Sequence, residues 1–134
     1  MKKLFTRILP LLLIALLAGC NDDDNKPANS VIGTWQFIGF YDYTQEKFNP
    51  INSECDSETT VFSEDGTGTS VFTDCEQGNG SFPFLWEKAD APNIYNQTIE
   101  DIIYQVNVTF EDSNKMYLSY ADDNAKVYVK VLEE

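Results

Sequence analysis

The chain has few side chains that could do chemistry. Its three cysteines are Cys20, Cys55 and Cys75, it contains no histidine, and Arg7, ahead of all three cysteines, is its single arginine. Without histidine it lacks the commonest general base, the usual partner of a serine or cysteine nucleophile, and the most common zinc ligand. We therefore expect a protein that is not an enzyme, with no catalytic residue, no cofactor and no metal site.

Cys20 ends a segment that has the anatomy of a secretory leader. A positively charged segment with Lys2, Lys3 and Arg7 precedes an apolar run of ten residues, 8–17. This run is shorter than the ~20 residues that span a bilayer as a helix. Residues 17–20, Leu-Ala-Gly-Cys, resemble the lipobox of bacterial lipoproteins. We predict that residues 1–20 are a lipoprotein signal peptide and that Cys20 carries the lipid. The alternative is an ordinary signal peptide, which would leave an odd number of cysteines in an exported protein.

Residues 21–30, NDDDNKPANS, are polar and acidic and show no periodicity. Such a segment cannot bury a core, so we expect a flexible tether. The acidic run over residues 22–24 resembles the export signal of surface lipoproteins in Bacteroidetes. We expect an outer-membrane lipoprotein of the cell envelope, and leave open whether it faces the periplasm or the cell surface.

The charge balance limits the possible partners. The leader holds three of the nine Lys and Arg residues and no acid, so the chain after Cys20 carries six positive and 22 negative charges, a net charge of −16. Nucleic acid is excluded because phosphate binding needs basic surface. An anionic membrane surface is excluded for the same reason, so attachment to the membrane falls to the N-terminal lipid. High net charge also discourages self-association, and we expect a monomer.

Once Cys20 is assigned to lipid, Cys55 and Cys75 remain, in an oxidising compartment. We predict a structural disulfide between them. The alternative is a redox-active pair, which would be expected at CxxC spacing, and the chain does not have it.

The elements that must position these residues are β-strands. Alternation of apolar and polar residues with a period of two recurs along the chain after residue 30, and no long stretch has a helical period. The predicted strands cover residues 35–42, 59–62, 68–74, 81–88, 94–99, 104–110, 116–120 and 126–131. This rhythm is typical of a small barrel or sandwich. Residues 45–57 have no clear pattern and are interpreted either as a lid across an open end or as a surface loop.

A family resemblance appears at the start of the first strand. Gly33-x-Trp35 resembles the lipocalin signature, and the FxxDGTGT segment from Phe62 with the later Trp86 is similar to short lipocalin-like lipoproteins of Bacteroidetes. The resemblance covers residues 31–134. It implies an all-β domain folded as a small eight-stranded up-and-down antiparallel barrel, with Gly33 and Trp35 closing one end. The arginine that lies over this tryptophan in typical lipocalins is absent, and Lys126 or Lys130 is expected over the ring instead.

The resemblance implies binding of a small apolar molecule inside the barrel. The candidate ligand-lining residues are Phe37, Phe62, Phe72, Trp86, Tyr104, Phe110 and Tyr120. The alternative is a structural or interaction lipoprotein, whose aromatic residues fill a solid core and whose exposed tyrosines contact envelope proteins or glycans; those tyrosines would be Tyr41, Tyr43, Tyr117 and Tyr128. Residues 122–124, Asp-Asp-Asn, could bind calcium weakly, although such turns are usually only solvated.

Overall fold

A computed structural model describes residues 29–134 of the chain. The strands of this part are β1 (Gly33–Asp42), β2 (Lys47–Pro50), β3 (Ser57–Phe62), β4 (Thr67–Asp74), β5 (Gly78–Lys88), β6 (Ile94–Ile99), β7 (Ile102–Asp112), β8 (Lys115–Ser119) and β9 (Asn124–Lys130). Cys20, the rest of the predicted signal peptide and residues 21–28 of the predicted tether lie outside the described residues. Across residues 29–134, no helix is long and apolar enough to cross a membrane.

Eight of the strands close into a barrel. From β3 onward each strand pairs antiparallel with the next, and β9 returns to pair with β1. Trp35 of β1 therefore has a partner on each side, Thr60 of β3 and Lys130 of β9. The order follows the chain from neighbour to neighbour, so the prediction of an eight-stranded up-and-down antiparallel barrel is confirmed.

The ninth strand, β2, lies inside the segment that showed no pattern in the sequence. Residues 47–50 pair with residues 39–42 of β1 to form a hairpin. The Asp42 carboxylate fixes the turn because its Oδ1 accepts hydrogen bonds from the backbone N–H groups of Thr44 and Gln45. Only residues 51–56 remain as a connection to β3. Part of the segment 45–57, interpreted as a lid or a surface loop, is therefore a strand, while Ile51 next to it packs against the core.

Alternation along each strand decides which side chains enter the barrel. In β3, Thr60 and Phe62 point inward and are 3% and 6% exposed, whereas Val61 between them is 37% exposed. In β7, Val106 and Val108 are each 2% exposed. Inward glycines on β4 and β5 make room for large rings: a Cβ on Gly80 would meet the ring of Phe72 at 2.5 Å.

Trp35 lies at the end of the barrel where β1 begins, which we call the closed end. It is fully buried, and its indole Nε1 donates a hydrogen bond to the carbonyl oxygen of Val31 at 2.6 Å. The Lys130 Nζ lies 5.3 Å from the centroid of the ring, so Lys130, rather than Lys126, covers it. Gly33 has φ +134°, and a Cβ there would lie 2.8 Å from the Lys130 Cε. Because Gly33 has no side chain, the Lys130 side chain can pass over the backbone of Gly33 and reach the Trp35 ring.

The expectation that Tyr128 is exposed is wrong. Tyr128 pairs with Phe37, points into the barrel and is 3% exposed, while Val127 faces outward. Val127 is nevertheless fully buried. It pairs with Gly39, and the Phe48 ring of the extra strand lies over that glycine. The apolar face of β9 is therefore covered from outside, which frees its polar face to point inward.

Candidate functional site

The opposite end, where β1 ends, contains a cavity of about 260 Å³. We call it the mouth cavity. Phe37 from β1, Glu58 from β3 and Phe72 from β4 line it from inside the barrel, and Phe40 and Ile51 line it from the rim. Ligand pockets typically measure about 300–1,000 Å³, so this volume fits only a small molecule.

The Glu58 carboxylate points into the barrel at this end and makes contacts with several polar side chains. Its Oε2 lies 2.5 Å from the Lys126 Nζ, and its Oε1 accepts a hydrogen bond from the Tyr128 hydroxyl at 2.6 Å. The Thr60 hydroxyl donates to the same oxygen at 3.3 Å and is 2.7 Å from the Ser70 hydroxyl. The carboxylate and the ammonium are thus paired and hydrogen-bonded, which is the condition under which charges persist inside a protein.

Tyr128 is held in its neutral form. Burial raises the pKa of its phenol well above the usual value, and the negative charge of Glu58 raises it further. The Lys126 Nζ also lies 4.9 Å from the centroid of the Phe37 ring. These contacts link the apolar wall of the mouth cavity to the polar layer formed by Glu58, Lys126 and Tyr128.

A second group of polar and aromatic residues stands across the same end. The Tyr120 hydroxyl donates a hydrogen bond to Gln97 Oε1 at 2.5 Å, and the rings of Tyr104 and Tyr120 meet edge to face at 6.2 Å. Burial of the hydroxyl raises the pKa of Tyr120 to about 12, with a further contribution from the charge of Glu58. Half of the Tyr120 surface is exposed to solvent, while its hydroxyl points inward to Gln97.

The interior of the half of the barrel toward the closed end is packed. A cavity of about 360 Å³ lies at the edge of this half, where its lining includes Lys88, Tyr95 and Phe110. Phe62 and Trp86 meet edge to face at 5.8 Å, and Phe110 lies 6.3 Å from Trp35. The cavity that Phe62 and Trp86 line here has a volume of about 10 Å³, which is too small for any ligand.

The seven candidate lining residues therefore fall into three places. Phe37 and Phe72 line the mouth cavity, and Tyr104 and Tyr120 stand together at the open end. Phe62 and Trp86 belong to the packed half, and Phe110 packs against its core and also lines the cavity at the closed end.

Cys55 and Cys75 form a disulfide with a Cα–Cα distance of 5.1 Å, and this prediction is confirmed. The bond ties the 51–56 connection to the turn between β4 and β5, so it fastens two parts of the rim of the open end. Next to it, the hydroxyls of Ser57 and Thr73 are 2.5 Å apart. The position of the disulfide supports a structural role in holding the wall of the mouth cavity.

Sequence reasoning missed Glu58, and assigned Tyr128 to the surface. The signal for Glu58 was present, because it stands two residues before Thr60 and four before Phe62 on the inward register of β3. Within residues 29–134 there is no group of three or more Cys, Asp or Glu side chains that could hold a metal ion.

Fold and site together define the class of the molecule: a small, closed, eight-stranded antiparallel barrel that is compatible with ligand binding. No protein-family model, no curated protein and no solved structure matches the chain.

Proposed function

We propose that this chain is a lipid-anchored protein of the bacterial cell envelope whose barrel binds a small, largely apolar molecule at the open end. The observation that carries the proposal is the mouth cavity of about 260 Å³, which the inward residues Phe37, Glu58 and Phe72 line at the open end of the barrel. An apolar cavity with a few polar groups at its floor is the usual form of a small-molecule site.

The lining disfavours an anionic ligand. Phe37, Phe72 and Ile51 supply apolar contact. The polar lining residues include three carboxylates and two hydroxyls, those of Asp56, Ser57, Glu58, Thr73 and Asp74. The ammonium of Lys126 is already paired with Glu58 at 2.5 Å, so an anionic head group would have to compete with an internal carboxylate. The high negative charge of the chain adds a further electrostatic cost for anions.

The binding test uses N-phenyl-1-naphthylamine, an uncharged apolar dye that becomes fluorescent in an apolar site. A saturable rise in fluorescence is expected, and retinol, a sterol, a fatty acid and haem are then tested as displacing ligands. Trp35 and Trp86 are poor reporters because they belong to the packed half.

The matched pair of variants is Phe72→Ala and Val71→Ala. Phe72 lines the cavity, whereas its neighbour Val71 points outward and is 53% exposed. Loss of the Phe72 ring is expected to weaken dye binding about tenfold, and the Val71 variant should bind as the parent does. A dye signal that does not saturate, or that Phe72→Ala leaves unchanged, would overturn the proposal.

The anchoring part of the proposal rests on the leader and on Cys20. Mass spectrometry of the mature N-terminus from a Gram-negative host is expected to give a peptide that begins at acylated Cys20. The Cys20→Ser variant is expected to lose the acyl mass and to leave the membrane fraction. An unmodified Cys20 within the mature parent protein would contradict it.

A second candidate is a structural or interaction lipoprotein that binds nothing in the barrel. The packed half favours it, because most of the core cluster lies there and needs no ligand for its stability. Absence of saturable dye binding by a folded protein, together with capture of an envelope partner by crosslinking in intact cells, would select this candidate.

A further inference from the structure

A larger cavity lies on the outside of the barrel, with a volume of about 440 Å³. We call it the outer groove. Its floor is the outward face of β7, where Gln105, Asn107 and Thr109 alternate with the buried Val106 and Val108. These three side chains place two amides and a hydroxyl in one row.

The walls of the outer groove come from the turn after β8 and from the end of β1. β8 pairs with β7 only as far as Ser119 opposite Asn107, and the chain then leaves the sheet. The following turn brings Asp122 to the groove. Tyr43 stands beside this turn because its backbone N–H donates to the carbonyl oxygen of Asp123 at 2.9 Å.

The Tyr43 ring is the first of three tyrosine rings that pack edge to face in a row. It meets Tyr41 edge to face at 5.2 Å, and Tyr41 meets Tyr117 in the same way at 5.8 Å. Tyr43 is 43% exposed, and Ala125, on the outward face of β9 opposite Tyr41, is 1% exposed. The Tyr43 ring is thus held by a neighbour and still offers surface to a ligand.

This combination of groups selects the ligand. Amides and hydroxyls donate to and accept from sugar hydroxyls, a carboxylate accepts from them, and an aromatic ring packs against the C–H face of a pyranose. No lysine is among the residues that line the groove, and its charged residue is Asp122, so phosphate and carboxylate ligands are disfavoured. We infer that the outer groove binds an uncharged oligosaccharide.

The test maps binding residue by residue. Backbone amide shifts of the ¹⁵N-labelled domain are followed while cellohexaose, maltohexaose or chitohexaose is added. At least one of these probes is expected to shift amides at residues 105–109 and 119–123 in a saturable way, and to leave the mouth cavity residues and dye binding unchanged. The inference would be overturned if no probe caused saturable shifts, or if the shifts centred on the mouth cavity with every probe.

Variants check the assignment of the groove. Tyr43→Ala is expected to weaken saccharide binding about tenfold, and Tyr43→Phe, which keeps the ring, to weaken it less than threefold. Asn107→Ala removes an amide from the floor and should also weaken binding. Val71→Ala, at an exposed position on β4, is the control and should bind as the parent does. Equal affinity of Tyr43→Ala, Asn107→Ala and the parent would contradict the inference.

Discussion

The ion pair between Glu58 and Lys126 can be tested by removing one charge at a time. Glu58→Gln keeps the size of the side chain and an acceptor for Tyr128 but leaves the Lys126 ammonium without its counter-charge at 2.5 Å. Removing one partner of a fully buried pair costs about 3–5 kcal/mol. The two side chains are 16% and 25% exposed, so water compensates part of this loss. We expect a decrease of about 2 kcal/mol in the free energy of unfolding.

Lys126→Met gives the complementary variant, with the Glu58 carboxylate left unpaired, and the expected cost is again about 2 kcal/mol. In the double variant no charge remains, so its cost is also expected near 2 kcal/mol instead of about 4 kcal/mol for independent sites. The coupling energy is therefore about 2 kcal/mol. Lys47→Met, on the exposed strand β2, is the control for a lysine-to-methionine change and should stay within about 0.5 kcal/mol of the parent.

Urea unfolding at pH 7, followed by circular dichroism, measures all five proteins, and the slopes should agree because the same surface is exposed on unfolding. Additive single changes, with a coupling below about 0.5 kcal/mol, would refute the argument that the pair acts as one buried unit. The same result would mean that solvent screens the two charges as it does at a protein surface.

Three further changes test other parts of the structure. The double variant Cys55→Ser with Cys75→Ser removes a cross-link with a sequence separation of 20, and should lower the unfolding free energy in guanidinium by about 3 kcal/mol on the chain-entropy model; a loss below 1 kcal/mol would contradict that model here. Trp35→Phe removes a buried indole N–H and its hydrogen bond, and should cost about 2 kcal/mol in the same assay; an unchanged midpoint would contradict the closing role. Burial raises the pKa of Tyr120 to about 12 and that of Tyr128 well above 10, so the folded state keeps protons that the unfolded state releases. The stabilisation from these two tyrosines is therefore expected to be fully present below about pH 10 and to be lost as the pH rises toward 12, in the parent protein more than in Tyr128→Phe. An unfolding free energy that stays flat from pH 10 to 12 would contradict it.

Much of the barrel could be predicted from local pattern. The period-two alternation around Val106 and Val108 located β7, and Asp65-Gly66 placed the turn between β3 and β4, where Gly66 has φ +84°. The disulfide followed from the number of cysteines once Cys20 was set aside. These features depend on residues close in sequence, or on a count, and so they need no knowledge of the three-dimensional arrangement.

The candidate site could be predicted only in part. Phe37 and Phe72 were among the candidates, whereas Glu58 was not, because a charged residue in a strand is usually on the solvent face. Tyr128 was placed outside, since the valines of β9 look like the inward set. Alternation defines two faces of a strand and does not state which of them the barrel encloses.

The amino-acid sequence by itself determined an acidic, histidine-free chain with three cysteines and with strands of alternating pattern. Only the tertiary structure decided which end is open and which groups meet there. The register between β1 and β9 turns the polar face of β9 inward, which brings Lys126 to Glu58 across 68 residues of chain. Pairings of this range are fixed by closure of the sheet, because the curvature and register of all eight strands together set which side chains face one another.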